Sequence, residues 1–296
     1  MGEKQYNNVH FSNASDTLYC KSSVYIMGAN HGQFNTRWGR YDGVSGTNGF
    51  LNTANFLKPE EQQLIAKVYI RAFLDSTLLG GCDYTDLLKN NMSYIETLPK
   101  TVYITNYMDS DFVRYCSFDE NADIVHGDME NAIISCQGMD TWKERRDVYG
   151  ANKDGENYVL DCAWEADSEP RIEVSVSATD MSAGDITFRM ADMREDNEDE
   201  ITALHYTVEL YDAEGNVVTA ENPQLVYPSL AVQLYKQDVI LDSYEYKHQM
   251  QTVSLKADMF ESDTEFDFTS VHKICVVFDG SRAGEIIMDD VGFARR

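Results

Sequence analysis

The sequence predicts an α+β protein: a first part that contains helices, followed by an antiparallel β-sandwich of the jelly-roll type. Two changes along the chain indicate this division. Apolar residues recur at helical spacing in the first part, and they alternate with polar residues at strand spacing in the second. Residues 1–115 carry 11 acidic and 10 basic side chains, whereas residues 116–296 carry 39 and 14. We therefore expect two domains, 1–115 and 116–296, that touch each other because no Pro- or Ser-rich linker separates them.

The first part should contain one strand, one long helix and several short elements. Residues 22–27 form an apolar, β-branched run that ends at Gly28, which predicts a buried strand followed by a tight loop. The segment Pro59 to Leu79 begins with Pro-Glu-Glu, a sequence typical of the first turn of a helix. We expect Tyr69, Phe73 and Leu78 on this helix to cover the strand. Shorter helices are predicted at residues 85–89 and 92–98, and a strand at residues 101–107.

The second part reads as a series of short strands without long helices between them, which is typical of an antiparallel sandwich. Turn signals such as Asp212 to Asn216 and Asp279 to Ser281 separate these runs. The predicted strands are residues 131–136, 158–164, 171–177, 185–190, 203–211, 231–234, 251–255, 272–278 and 285–293.

Charge and composition exclude several kinds of partner. The formal charge of −26 repels nucleic acids and anionic membrane surfaces. No apolar run approaches the ~20 residues that cross a bilayer. The first ten residues lack the features of a secretory signal, although a parent protein could be extracellular or attached to the cell surface. The six cysteines form no zinc-type cluster, so they are buried free thiols or, in an exported protein, disulfides of unknown pairing.

His31 is the one residue that suggests chemistry. It lies on a glycine-flanked loop directly after the first predicted strand, where an imidazole could act as a general base. A surface or hydrogen-bonding histidine is the alternative.

The surroundings of His31 resemble a known family. The segment Val24 to Thr36 (VYIMGANHGQFNT), with Trp38-Gly39-Arg40 and the helix from Glu61-Gln62 to Asp75, is similar to the C-terminal portion of bacterial α/β-hydrolases of the dienelactone hydrolase or polyester-hydrolase-like group. The resemblance covers residues 22–80. It implies that His31 is the catalytic histidine of a serine ester hydrolase and that the strand before it belongs to the hydrolase sheet.

The chain departs from this family because only 30 residues precede His31, whereas the serine and the acid of such hydrolases come before the histidine. The segment Gly43 to Thr47 approaches a nucleophile elbow, but Ser45 reads as a loop residue, and Asp16 reads as a cap or turn residue. We expect this chain to lack a nucleophile and to be inactive as an esterase by itself. Its partners would then include the missing N-terminal hydrolase part or a second copy.

The second part resembles the galactose-binding-like jelly rolls used as carbohydrate-binding modules. The similarity rests on Ser177 to Asp180, on the strand at residues 251–255 with Phe260, and on the ending Gly284 to Phe293. A glycan would stack on exposed aromatic rings, and the candidates are Trp142, Tyr149 and Trp164. Aromatic residues on strands more often belong to the core, and the sandwich could have a structural role instead.

Acidic residues raise the question of a structural calcium ion. The stretch from Asp192 to Glu200 is rich in carboxylates but lacks the spacing of an EF-hand, so it reads as a solvated loop. The resemblance to carbohydrate-binding modules implies a second possibility, in which Asp128 and Glu130 meet Asp289 or Asp290. No other cofactor is expected.

Two hypotheses about function follow. The chain is either the C-terminal fragment of a serine ester hydrolase that carries His31 and an accessory β-sandwich, or a non-catalytic carbohydrate-binding or structural module. The first would act on an ester substrate and the second would bind a glycan.

Overall fold

The computed structural model describes residues 2–11, 18–41, 48–79, 84–90, 94, 96–118, 123–147, 157–195, 202–233, 236, 244–261 and 265–295. Within these residues, no helix is long and apolar enough to span a membrane.

The first part contains three helices and a two-stranded sheet. The helices are α1 (Gly2–Asn7), α2 (Pro59–Leu78) and α3 (Thr85–Lys89), and the strands are β1 (Cys20–Ile26) and β2 (Tyr103–Asp109). The two strands pair antiparallel from Cys20 opposite Asp109 to Ile26 opposite Tyr103. The helix predicted at residues 92–98 lies partly outside the described residues.

The long helix α2 begins as its sequence predicts. The Glu61 carboxylate accepts a hydrogen bond from the Lys58 backbone N–H at 2.9 Å, which satisfies an amide just before the helix. Ile65, Tyr69 and Ala72 on one face of α2 pack against α3 and β2 in a hydrophobic cluster of their own. Phe73 and Leu78, which we expected to share this role with Tyr69, are exposed.

The pairing of β1 with β2 bears on the expected hydrolase segment. The last core strand of an α/β-hydrolase belongs to a mostly parallel sheet, but β1 has an antiparallel partner from a later part of the chain. The helices α2 and α3 then cover this small sheet, so that it needs no further strands to bury its apolar side chains. The described residues therefore give no support to an α/β-hydrolase segment.

The rest of the described chain forms a β-sandwich, which confirms the antiparallel architecture that the sequence predicts. Its strands are β3 (Phe112–Cys116), β4 (Ile133–Gln137), β5 (Thr141–Arg146), β6 (Tyr158–Trp164), β7 (Arg171–Thr179), β8 (Gly184–Asp192), β9 (Tyr206–Asp212), β10 (Val217–Glu221), β13 (Gln251–Lys256), β14 (Val271–Phe278) and β15 (Gly284–Arg295). One sheet has five strands in the order β10-β9-β14-β7-β4, and the other has the order β13-β8-β15-β6-β5 with β3 also paired to β15. A separate hairpin consists of β11 (Leu230–Gln233) and β12 (Tyr244–Lys247).

β3 lies at the predicted boundary between residues 115 and 116, and it pairs with β15 of the sandwich. The division of the chain into two domains at this boundary stays a prediction.

The main core lies between the two sheets and follows from the alternation of residues along the strands. In β6, Leu160, Cys162 and Trp164 point into the core while Asp161 lies on the opposite face. The indole of Trp164 stacks on Phe278 of the other sheet with 4.9 Å between ring centroids. Its N–H donates to the Arg282 carbonyl at 3.0 Å. Trp164 is therefore a core residue, which decides against the alternative that it is an exposed ring for a sugar.

This assignment of Trp164 can be tested by comparing two tryptophans. We expect Trp164→Ala to lower the free energy of unfolding by about 3–5 kcal/mol, because it opens a cavity between the sheets. Trp38→Ala, which removes an exposed indole, should cost less than about 1 kcal/mol. Urea unfolding monitored by circular dichroism measures both values. Equal losses for the two variants would contradict the core position of Trp164.

Candidate functional site

The loop after β1 holds the candidate residue His31. Gly28 ends the strand with a positive φ of 76°, and a Cβ at this position would lie 2.6 Å from the Asn55 carbonyl oxygen. This conformation and this close approach both require glycine. His31 follows on the exposed side of the loop and begins a short 3-10 turn, Gly32–Phe34.

Hydrogen bonds hold this loop against the start of α2. The Asn30 N–H donates to Gln62 Oε1 at 3.2 Å, and Gln62 Nε2 donates back to Asn30 Oδ1 at 3.2 Å. Gln62 and Gln33 both donate to the Leu57 carbonyl, at 3.0 and 2.9 Å. Asn30, Gln33 and Gln62 are buried, so these amide hydrogen bonds anchor the loop to the start of α2.

The tip of the loop places an indole against His31. Asn35 Oδ1 accepts hydrogen bonds from the backbone N–H groups of Arg37 at 2.9 Å and Trp38 at 2.8 Å, which turns the chain back. The rings of His31 and Trp38 meet at 87° with 5.1 Å between centroids. Trp38 nevertheless stays 57% exposed. The loop therefore presents an aromatic surface whose orientation is fixed.

We call residues 28–41 the aromatic loop, because Phe34 and Tyr41 are exposed in it together with Trp38. Its charge also differs from that of the whole chain. No acidic residue occurs between Asp16 and Asp42, while Arg37 and Arg40 flank Trp38. A protein with a formal charge of −26 thus has a basic, aromatic segment beside its candidate histidine.

The described structure does not test the residues considered as catalytic partners of His31, which read as loop and turn residues in the sequence. Ser45 and Asp16 lie outside the described residues, as does Tyr149, one of the three aromatic candidates for sugar binding. Trp142 is partly buried and packs against the main core. The role of His31 as a catalytic base stays a prediction.

The carboxylates expected at a calcium site have other partners. Asp289 and Asp290 contact the guanidinium of Arg189, at 3.5 Å each, and Asp290 also pairs with Arg114 at 2.8 Å. Asp128 accepts a hydrogen bond from the Ser117 hydroxyl at 3.2 Å. Asp192 forms an ion pair with Arg194. Among the residues that the structure describes, no group of three or more His, Cys, Asp or Glu side chains is placed to hold a metal ion.

The sequence did not indicate a second polar region, on the outer face of the six-stranded sheet. Arg189 of β8 is only 2% exposed there, and its Nε donates to Asn106 Oδ1 of β2 at 3.2 Å. The Tyr6 ring of α1 lies over its guanidinium at 5.0 Å. Thr252 of β13 exchanges hydrogen bonds with the backbone of Tyr107, at 3.0 and 3.3 Å. The first part of the chain thus covers this polar sheet face.

We call this contact between the first part of the chain and the six-stranded sheet the joint. Burial at the joint shifts the pKa values of its titratable groups. Desolvation, partly offset by Asp290, lowers the pKa of the Lys21 ammonium to about 8. Desolvation raises the pKa of the Tyr6 and Tyr107 hydroxyls above their ordinary value, so both remain neutral. A small cavity at the joint is lined by residues such as Lys89, Asp109 and Arg189. Because Arg189 and Lys89 already have carboxylate partners, the region serves to hold the two parts together.

Two ion pairs connect α3 to the sandwich at the joint and provide a matched test. One has its lysine on α3, and the other has its lysine on the sandwich. Lys89 of α3 pairs with Asp185 of β8 at 2.7 Å, and Asp185 is 1% exposed. Lys256 of β13 pairs with Asp86 of α3 at 2.6 Å, but the Asp86 side chain is 50% exposed. Lys89→Met should lower the free energy of unfolding by about 3 kcal/mol, because it removes the cationic partner of a buried carboxylate. Lys256→Met should cost less than about 1 kcal/mol.

Urea unfolding measures both losses. A loss for Lys256→Met as large as that for Lys89→Met would contradict the description of Asp185 as the buried partner.

Comparisons with known proteins give only distant similarities. No protein-family model matches the chain, and no curated protein matches it. Among solved structures, an exo-beta-agarase is 11% identical over 62% of this chain and 25% of its own, with a TM-score of 0.41. A family 30 carbohydrate-binding module is 10% identical over 60% of this chain and 90% of its own, with a TM-score of 0.39.

A family 11 carbohydrate-binding module of a Clostridium thermocellum cellulosomal cellulase is 9% identical over 62% of this chain and 95% of its own, with a TM-score of 0.35. The chain therefore spans about a quarter of the agarase but nearly the whole of each module. Because every one of these TM-scores is below 0.5, we infer nothing about function from them. The β-sandwich is established by the strand pairing described above.

Proposed function

We propose that this protein binds a glycan through the aromatic loop and does not hydrolyse it. The observation that supports this proposal is the exposed indole of Trp38, which is held in one orientation by His31 and by the Asn35 turn. An exposed indole that contacts a second ring is a suitable surface for the apolar face of a sugar.

The chemistry of the loop suits a ligand that is apolar on one face and polar at its edge. A pyranose ring has C–H groups that can stack on the indole, while its hydroxyls need donors and acceptors around the rim. Arg37 and Arg40 supply donors on both sides of Trp38 in the sequence, and His31 supplies an imidazole beside it. The aromatic loop therefore combines one stacking surface with peripheral polar groups.

Rigidity makes this loop more suitable than an ordinary exposed aromatic residue. Ordering a mobile side chain on binding costs about 0.5–1.5 kcal/mol, and more when a whole loop must be fixed. Here the hydrogen bonds of Asn30, Gln33 and Gln62 fix the loop before any ligand arrives. Most of the stacking free energy would then contribute to affinity.

Trp38→Ala tests the glycan-binding proposal. We expect it to weaken binding at least tenfold, a loss of about 1.4 kcal/mol, because it removes the stacking surface. Affinity electrophoresis against soluble β-glucan, xylan, galactan and polygalacturonate, followed by calorimetry with the retained polymer, measures the change. Tyr84→Ala is the matched control, since it removes another exposed aromatic ring outside the loop. Retention of the wild type by none of these polymers, or equal retention of the wild type and the Trp38→Ala variant, would contradict the proposal.

An ester hydrolase fragment is the second hypothesis, and it assigns His31 a different role. The resemblance makes His31 a general base, whereas the structure supports a role in positioning Trp38. His31→Phe keeps a ring against the indole and removes the base, so this variant separates the two roles.

We expect the full chain to hydrolyse p-nitrophenyl acetate no faster than His31→Ala, because a histidine without a nucleophile gives no saturable turnover. His31→Phe should keep most of the glycan affinity, and His31→Ala should lose several-fold. Initial rates over a range of ester concentrations and the same calorimetric titrations provide both readouts. Saturable esterase activity that disappears in both variants would favour the hydrolase hypothesis instead.

A further inference from the structure

Two cysteines from different sheets face each other inside the sandwich. Cys136 lies on β4, at the edge of the five-stranded sheet, and Cys162 lies on β6 of the six-stranded sheet. Their Sγ atoms are 3.9 Å apart. We propose that Cys136 and Cys162 are a redox-active pair that forms a disulfide between the two sheets in an oxidising environment.

Forming this bond requires the two sulfur atoms to move closer together. A disulfide bond is about 2.05 Å long, so the two sulfur atoms must approach each other by roughly 2 Å. Rotation about χ1 of the two side chains can supply part of this movement, and Cys136 is on an edge strand that is paired with β7 alone among the described strands. Such a strand can shift more easily than a central one.

The two thiols differ in access, which sets the order of the reaction. Cys162 is completely buried in the main core, whereas Cys136 is only partly buried. Proximity to Cys136 and desolvation raise the pKa of the Cys162 thiol. Cys136 is therefore the thiol that an oxidant reaches first, and Cys162 is the thiol that completes the bond.

With a small disulfide such as oxidised glutathione as the oxidant, the chemistry balances in two exchange steps. The Cys136 thiolate attacks one glutathione sulfur, the glutathione S–S bond breaks, and the released glutathione thiolate takes up the proton. The Cys162 sulfur then attacks the Cys136 sulfur and displaces the second glutathione, whose departing thiolate takes up the Cys162 proton. Two protein thiols have lost two electrons, and one oxidised glutathione has become two reduced ones.

The bond would close a loop of 26 residues and connect the edge strand β4 to the opposite sheet. Closing a loop of this length restricts the unfolded chain and stabilises the folded one. The other cysteines that the structure describes, Cys20, Cys116 and Cys275, are free thiols for which no such contact between sulfur atoms is recorded. They provide internal controls.

The test uses the full chain, equilibrated in glutathione buffers from fully reduced to fully oxidised. Remaining thiols are alkylated after denaturation, and peptide mapping by mass spectrometry identifies the linked pair. We expect a linked peptide that contains Cys136 and Cys162, and a rise in Tm on the order of 5 °C, which excess dithiothreitol reverses.

Cys136→Ser should abolish the linked peptide and the rise in Tm, whereas Cys275→Ser, a buried thiol on β14, should keep both. Cys136→Ser alters a partly buried position, so it leaves the core intact, and Cys162→Ser serves as the second variant. The proposal is overturned if Cys136 and Cys162 both remain open to alkylation in fully oxidised glutathione, or if the linked peptide contains a different pair. It is also overturned if the rise in Tm persists in Cys136→Ser.

Discussion

A guanidinium that is almost fully withdrawn from water connects the two parts of the protein. Arg189 lies on the outer face of the six-stranded sheet, where it contacts Asp289 and Asp290 of β15 and Asn106 of β2. An isolated buried charge costs several kcal/mol, so these partners and a cover against water must be present together. The small sheet and α1 supply that cover, and their position on the sandwich follows from this requirement.

The sequence indicated the sandwich well because its signals are local. The alternation of apolar and polar residues is contained within each strand. Most predicted strands coincide with observed ones to within a few residues. The strands β3, β5, β10 and β12 are absent from the prediction. β3 has only five residues, and β5 (TWKERR) is too charged to resemble a half-buried strand. β3 is stabilised as a strand by its pairing with β15, and β5 by its pairing with β6.

The partner of β1 could not be predicted for a related reason. The segment around His31 resembles a hydrolase strand and loop, but such a motif specifies the conformation of its own residues and not the strand beside it. The observed partner, β2, follows about 80 residues later and runs antiparallel. Pairing at that distance is determined by the helices that pack on both strands, and short motifs carry no information about it.

For the candidate site, the sequence points to the loop after β1 through His31, but it does not single out Trp38, the most exposed ring of that loop. His31 was singled out for its glycine-flanked position, whereas Trp38 was noted only as part of the resemblance. Two signals would have indicated it: the absence of acidic residues between Asp16 and Asp42, and three aromatic residues within eight positions. Trp164 is a candidate for sugar binding in the sequence, but Leu160 and Cys162 precede it at the same two-residue spacing. That spacing places all three on the inner face.

The covered sheet face also determines where a ligand can bind. Arg189 and Thr252 would offer hydrogen-bonding groups to a sugar if this face were open, but both already form hydrogen bonds with the first part of the chain. A polar ligand at this sheet face would have to displace several buried hydrogen bonds and the ion pair of Lys89 with Asp185. The aromatic loop has no such competitor, because its hydrogen bonds anchor the backbone and leave the indole exposed. The interaction that holds the two parts together therefore leaves the loop beside His31, and not the covered sheet face, as the proposed binding surface.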